Sequence, residues 1–283
     1  KSNPKGGERF VSLVRREASK LGQPRAGSRG GRFGRGRVAA SLRSGSLSPR
    51  SRRVVIKSRF VMIRSGSDAV AAHLRYIERD GVTREGERGQ AYGADTDVAD
   101  TRAFVERSQG DRHQFRFIVS AEDAAELGDL CAYTRTLMQR MEVDRQTRLD
   151  WVAVDHHDTD NPHTHIIVRG RTDNGQDLVI APDYMLHGMR GRASELATEW
   201  LGPRTAREIA DSQYREVSQE RVTGLDRALL CQAALEQIEL AGLRGDVPYQ
   251  RLLAARLQYL AKLGLAHSQQ AGRYQIDPKM EET

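Results

Sequence analysis

From the amino end, the chain shows no sustained apolar periodicity until about residue 52. Residues 53–63 (RVVIKSRFVMI) are rich in β-branched side chains and predict a strand. Ser65-Gly66-Ser67-Asp68 supplies turn and cap chemistry. Val70, Leu74 and Ile77 then recur at helical spacing, predicting a helix over 69–79 that stops near Gly81. Residues 80–96 are rich in glycine and charge and read as loop, and 98–107 as a short helix. Residues 113–119 (HQFRFIV) alternate polar and apolar like a half-buried strand, with Arg116 between Phe115 and Phe117. Ser120, followed by Glu122 and Asp123, predicts the cap of a long helix reaching about Val143. Two further strands, 149–156 and 163–169, flank a short segment of Asp, Asn and Pro, the pattern of an antiparallel hairpin.

From about residue 182 to 260 the periodicity is helical, broken at Gly202-Pro203 and Gly224. Strands around a long helix, with helices segregated afterwards, predict an α+β fold built on an antiparallel sheet, with a helical C-terminal extension. An amphipathic stretch at 252–263, a polar turn and a short strand at 272–276 outline a winged helix starting near residue 225. Two ordinary helices packed on the main domain fit the same pattern. The expected organisation is an arm over 1–51, a main domain over 52–205 and an extension over 206–283.

Charge separates these regions. Residues 1–60 hold 17 Lys+Arg and only two acids, Glu8 and Glu17, a net of +15 within a chain whose formal total is +7. The remaining residues therefore carry −8. Within the arm, 25–37 reads RAGSRGGRFGRGR, with almost nothing to bury, which predicts disorder and affinity for nucleic-acid phosphates. Composition excludes other classes. No apolar run is long enough to span a membrane, and the basic N-terminus lacks the apolar segment of a secretory signal. Cys131 and Cys231 are too far apart for a CxxC metal pair and too few for a disulfide framework, which points to a reducing compartment. The first residue is Lys1 rather than Met, as expected of a piece of a longer protein.

Four of the eight histidines, His156, His157, His163 and His165, fall within ten positions, in DHHDTDNPHTHIIV. His163 and His165 are i and i+2 on a strand, so both leave the same face. The turn at 158–162 brings the end of the preceding strand beside them, where either His156 or His157 completes a three-nitrogen set. A single HxH pair would ordinarily be two polar hairpin residues. A third imidazole across the turn, with Asp158 beside it, favours a metal site with an open position, the catalytic rather than the structural pattern. Asp158 then either orients a ligand ring or accepts a proton.

His156-x-Asp158 followed by Pro162-His163-x-His165 resembles the three-histidine motif of conjugative relaxases, the mobilisation nucleases of HUH-endonuclease type, in their HxDxxxPHxH branch. Tyr76 in HLRYIERDG lies where that family places its nucleophilic tyrosine, on a helix after the first strand. The resemblance covers about 52–205. It implies a metal-dependent single-strand endonuclease and strand transferase. In that chemistry a tyrosine attacks one phosphodiester at an origin of transfer, leaving a 5′-phosphotyrosine link and a free 3′-OH and so initiating conjugative or mobilisation transfer. An ordinary tyrosine titrates near pH 10, so it needs a metal or a base to act at neutral pH.

The resemblance assigns Tyr76 as nucleophile and His156, His163 and His165 as ligands of a divalent metal. Motif spacing and strand parity select His156 over His157, because neighbours on a strand face opposite ways. Three imidazoles suit Mn, Zn, Co or Ni by softness, while abundance and phosphate ligation favour Mg or Mn. Arg75, Arg79, Arg84, Arg169 and Arg171 are candidate DNA contacts as a group, and His73, three residues before Tyr76, reads as a surface residue. Tyr92, in a loop, and Tyr133, mid-helix, compete less well as nucleophiles. The implied partners are single-stranded origin DNA and accessory relaxosome and coupling proteins, in a bacterial cytoplasm, with the enzyme travelling alongside the DNA it holds. A rolling-circle initiator or transposase shares the chemistry, but usually places its histidines before its tyrosine. A non-catalytic DNA-binding protein, acting through the arm and the extension, is the reading from another class.

Overall fold

A computed structural model describes residues 48–63, 68–84, 86–157, 159, 161–233, 236–270 and 272–277. The arginine-rich segment 25–37, the turn residues Ser65, Gly66 and Ser67, and Asp158 lie outside the described residues. The chain divides into two compact units at Pro203/Arg204.

The first unit is built on a four-stranded, wholly antiparallel sheet in the order β1-β2-β4-β3. Its strands are β1 (Val54–Met62), β2 (His113–Ala121), β3 (Leu149–His156) and β4 (His163–Thr172). Helices α1 (Asp68–Asp80) and α2 (Thr101–Arg107) lie between β1 and β2. Between β2 and β3 come the short α3 (Ala124–Leu127) and the long α4 (Leu130–Arg145). After β4, a π-helical turn (Tyr184–Gly188) leads into α5 (Met189–Leu201).

The expected helix start at Ser120 is displaced. Ser120 pairs with Val55 inside β2, and the long helix begins only at Leu130, capped by the Asp129 side chain on the Ala132 amide. Gly128, at φ 74°, separates α3 from α4. That left-handed conformation is inexpensive only for glycine, so the helical pattern is cut there.

The two faces of the sheet are covered unequally. On one, Phe115, Phe117, Val119, Trp151, Ile166 and Val168 form the main core with Leu137, Met138 and Met141 of α4 and Leu196 of α5. On the other, Val70, Leu74 and Ile77 of α1 and Phe104 of α2 pack on Val152, Val154 and Ile167, covering only the β3–β4 half. The β1–β2 half of that face stays open: Val55 is 56% exposed, and Lys57 and Arg59 are exposed. Arg52, buried at the foot of β1, donates to Asp123 and to the Gly202 carbonyl, tying strand, α3 and the end of α5 together.

The second unit contains α6 (Ala206–Glu216), α7 (Gly224–Gln232), β5 (Gln237–Glu239), a 3-10 turn (Leu240–Gly242), α8 (Val247–Lys262), β6 (Ala266–Gln270) and β7 (Arg273–Ile276). Its sheet is antiparallel in the order β5-β7-β6. It has its own core of Leu225, Leu229, Ile238, Leu253, Leu257, Leu260 and Ile276. None of the described helices is long and apolar enough to cross a membrane.

Candidate active site

The β3–β4 hairpin closes on the pair His156↔His163, with Val154 opposite His165. Alternation along both strands sends His156, His163 and His165 to the half-covered face. Their ring centroids are 5.1, 4.5 and 5.1 Å apart. One ligand atom from each lies within 4.8 Å of the others. Ligands about 2.1 Å from a shared tetrahedral ion stand roughly 3.4 Å apart, so small ring rotations suffice. His157 points away, its amide donating to the Val82 carbonyl and its side chain lining a groove with Tyr92, Asp129 and Asp155.

The surroundings of two rings fit metal ligation. His156 Nε2 bonds the Ile77 carbonyl at 3.0 Å, and His163 Nδ1 bonds the Asn161 carbonyl at 3.0 Å. A carbonyl can only accept, so each contact places N–H on that nitrogen, and in the neutral ring it is the other nitrogen that can ligate a metal. Burial, then the His156 and His163 rings and His73, push His165 down to about 3. It is therefore an unprotonated donor at neutral pH.

Helix α1 carries Tyr76 to the same place. Its apolar stripe packs on β3 and β4, and the His156–Ile77 bond joins one ring of the histidine cluster to the residue beside Tyr76. The end of α1 comes so close to β3 that a Cβ on Gly81 would lie 2.6 Å from Val154 Cγ1 and 3.0 Å from the Ile77 carbonyl. Tyr76 itself is 52% exposed, with the Arg79 guanidinium 5.5 Å from its ring centre. Burial raises the other tyrosines of this unit: Tyr92 donates to Asp155 at 2.8 Å, Tyr133 to the Ala193 carbonyl and Tyr184 to Asp144. Among the described residues of the unit, Tyr76 alone presents its tyrosine ring to solvent.

Asp80, one helical turn beyond Tyr76, escaped the sequence reading although its i,i+4 spacing was visible. Its bond from Arg79 at 2.8 Å holds the carboxyl below its usual range against some desolvation, and the Tyr76 hydroxyl and His156 ring also lie close enough to stabilise the carboxylate. His73 is not a simple surface residue. It is half-buried, its ring centre is 6.3 Å from that of Tyr76, and burial followed by Arg116 and Arg59 pushes it down to about 4.

Lys57, Arg59 and Arg116 were also missed as a group, because they are adjacent only through the register Arg59↔Arg116 and Lys57↔Ile118, with Ile118 opposite His165. They occupy the open half-face, Lys57 about two strand spacings, or roughly 10 Å, from His165. None has a carboxylate partner among the described residues, and burial together with Arg59 lowers Arg116. The five arginines expected from sequence do not form one patch. Arg75 and Arg79 are exposed on α1, and Arg84 is exposed by the separate groove containing His157. Arg169 and Arg171 stand further along β4, where Arg169 donates twice to Asp111 and once to Asp150, and Arg171 pairs with Asp111.

Residues 76–200 match the family model of the relaxase, MobA/VirD2-like, nuclease domain, a span that starts at Tyr76 and contains all three histidines. The match covers 125 of the 283 residues, less than half of the chain, and makes that stretch similar to a MobA/VirD2-like relaxase nuclease domain, a family of metal-dependent DNA nucleases. No curated protein and no solved structure matches the chain.

Proposed function

We propose that the chain nicks one strand of single-stranded DNA at an origin of transfer and stays bound to the new 5′ end through Tyr76. The observation that carries this reading is the convergence of one exposed tyrosine, one carboxylate and three imidazoles where α1 crosses the β3–β4 hairpin. The Tyr76 hydroxyl oxygen forms a bond to the scissile phosphorus as the bond from phosphorus to the 3′ oxygen breaks. Asp80 accepts the phenolic proton, and the leaving 3′ oxygen takes up a proton to become a free hydroxyl. One phosphodiester replaces another, so the step runs in either direction and allows ends to be rejoined.

His156, His163 and His165 would hold a divalent metal (Mg or Mn, with Zn, Co or Ni as alternatives), which would offset charge developing on the scissile phosphate. Lys57, Arg59 and Arg116 line the open half-face and hold the strand leading to the site by its phosphates. Arg75 and Arg79 contribute from α1. Asp158, beside the ligands in sequence, serves as a second orienting or proton-accepting group. Accessory and coupling proteins bring the origin to this face in the bacterial cytoplasm.

The test is incubation of a labelled single-stranded origin oligonucleotide with Mn or Mg, comparing the native chain with Tyr76→Phe. The native chain should yield a covalent adduct and a 3′-OH fragment, and the variant neither. An adduct that persists in Tyr76→Phe would remove Tyr76 from the reaction.

A further inference from the structure

The second unit holds none of the residues assigned to the proposed nicking reaction, yet its surface is organised. From α7 onward, helix, short strand, 3-10 turn, helix and β-hairpin follow one another, and the last strand lies at the centre of the β5-β7-β6 sheet. That order is the topology of a winged helix, with α8 in the position of the groove-entering helix and β6–β7 as the wing. Helix α8 is divided sharply. Leu253, Arg256, Leu257 and Leu260 are buried, whereas Arg251, Gln258 and Lys262 are exposed, with Ala255 partly so between them. These four recur at i, i+4, i+7 and i+11, a narrow stripe opposite the buried side.

The chemistry of that stripe is uniform. None of the sixteen residues of α8 is acidic. Asp246, just ahead of the helix, is engaged as its N-cap on the Tyr249 amide. Arg251, Lys262 and the flanking exposed Arg244 have no carboxylate partner among the described residues. The buried cation is treated differently: Arg256 donates to both oxygens of Asp226 and to the carbonyls of Val217, Gln219 and Arg221, so it braces the unit from inside. The small Ala255 lets the stripe approach a surface closely, and Gln258 carries the donor–acceptor pair that matches the major-groove edge of adenine.

We infer that residues 224–277 form a winged-helix module that binds double-stranded DNA, with the Arg251–Ala255–Gln258–Lys262 face of α8 in the major groove. The function is separate from nicking and does not rest on it. It would give one chain both a duplex-binding and a strand-cutting activity.

The test uses the full chain, so that every other basic segment stays constant, and measures binding to a labelled duplex and to a single strand of the same sequence across a salt series. Arg251→Glu with Lys262→Glu should weaken duplex binding at least tenfold and flatten the slope of log K against log salt by about two. Single-strand binding and nicking should be unchanged. Arg251→Gln with Lys262→Gln, which carries less risk to folding, should show a smaller loss in the same direction. A photo-cross-linking residue at Gln258 should capture the duplex. Duplex affinity within twofold of native in both double variants, or an equal loss on single strand and duplex, would overturn the inference.

Discussion

His156 is the most constrained of the three clustered histidines: it is only 5% exposed and its Nε2 bonds the Ile77 carbonyl. His157, one residue on, faces the other way, so the two should behave oppositely. His165→Ala should weaken Mn binding by more than tenfold, while His157→Ala stays within about twofold; isothermal titration reads both. Metal ligation would also stabilise the fold, and a metal present at 100 times its Kd should add about 2.7 kcal/mol, lost on adding a chelator. If Asp80 is the proposed proton acceptor, Asp80→Asn keeps the shape but not the base, so the single-turnover nicking rate should fall by about 10²-fold, with DNA affinity little changed. The histidines were legible as a cluster because hairpin parity is a property of neighbours. Asp80 was overlooked because an acid one turn after a tyrosine is commonplace, and its importance depends on what β3 brings to it.

At the scale of elements, α1 and the hairpin are held together by the packing of Val70, Leu74 and Ile77 on Val152, Val154 and Ile167 and by the His156–Ile77 bond. A Cβ at Gly81 would lie 2.6 Å from Val154 Cγ1 and 3.0 Å from the Ile77 carbonyl. Gly81→Ala should destabilise the domain by about 1–3 kcal/mol, seen in urea denaturation, and slow nicking further by lifting Tyr76 from the histidines. The open half-face supplies a second expectation. Replacing Lys57, Arg59 and Arg116 together by Ala should flatten the salt dependence of single-strand binding by about two, since each phosphate no longer neutralised removes about 0.7 from the slope. A triple variant with unchanged slope would show that the strand takes another route. Among the arginines expected from sequence, Arg169 is already engaged by Asp111 and Asp150, a pairing made across loops and strands that spacing alone does not reveal.

For the molecule as a whole, several histidines are folded into surroundings that disfavour their charge. Burial lowers His113, whose Nε2 bonds the Leu178 carbonyl; burial and two arginines bring His73 to about 4, and burial with neighbouring rings brings His165 to about 3. The unfolded chain takes up protons at these positions below about pH 6.5, whereas the folded chain resists them. Their contribution to stability is therefore complete above pH 6.5 and is lost as pH falls toward 4. In chelator, so that metal release does not intervene, the Tm should drop between pH 7.5 and pH 5. Substituting Gln for His73 should make that drop shallower.

The sequence by itself determined the α+β class, most element positions, the hairpin and the clustering of the three histidines. These follow from residue spacing and near-neighbour conformational preference, which act within a few positions of the chain. Only the tertiary structure decided that Ser120 ends a strand rather than capping a helix, that one tyrosine of the nuclease unit is exposed while the others are buried, and that Lys57, Arg59 and Arg116 form one open face. Those outcomes depend on strand register and on which helix covers which half of a sheet, and both are set by contacts between residues far apart in sequence.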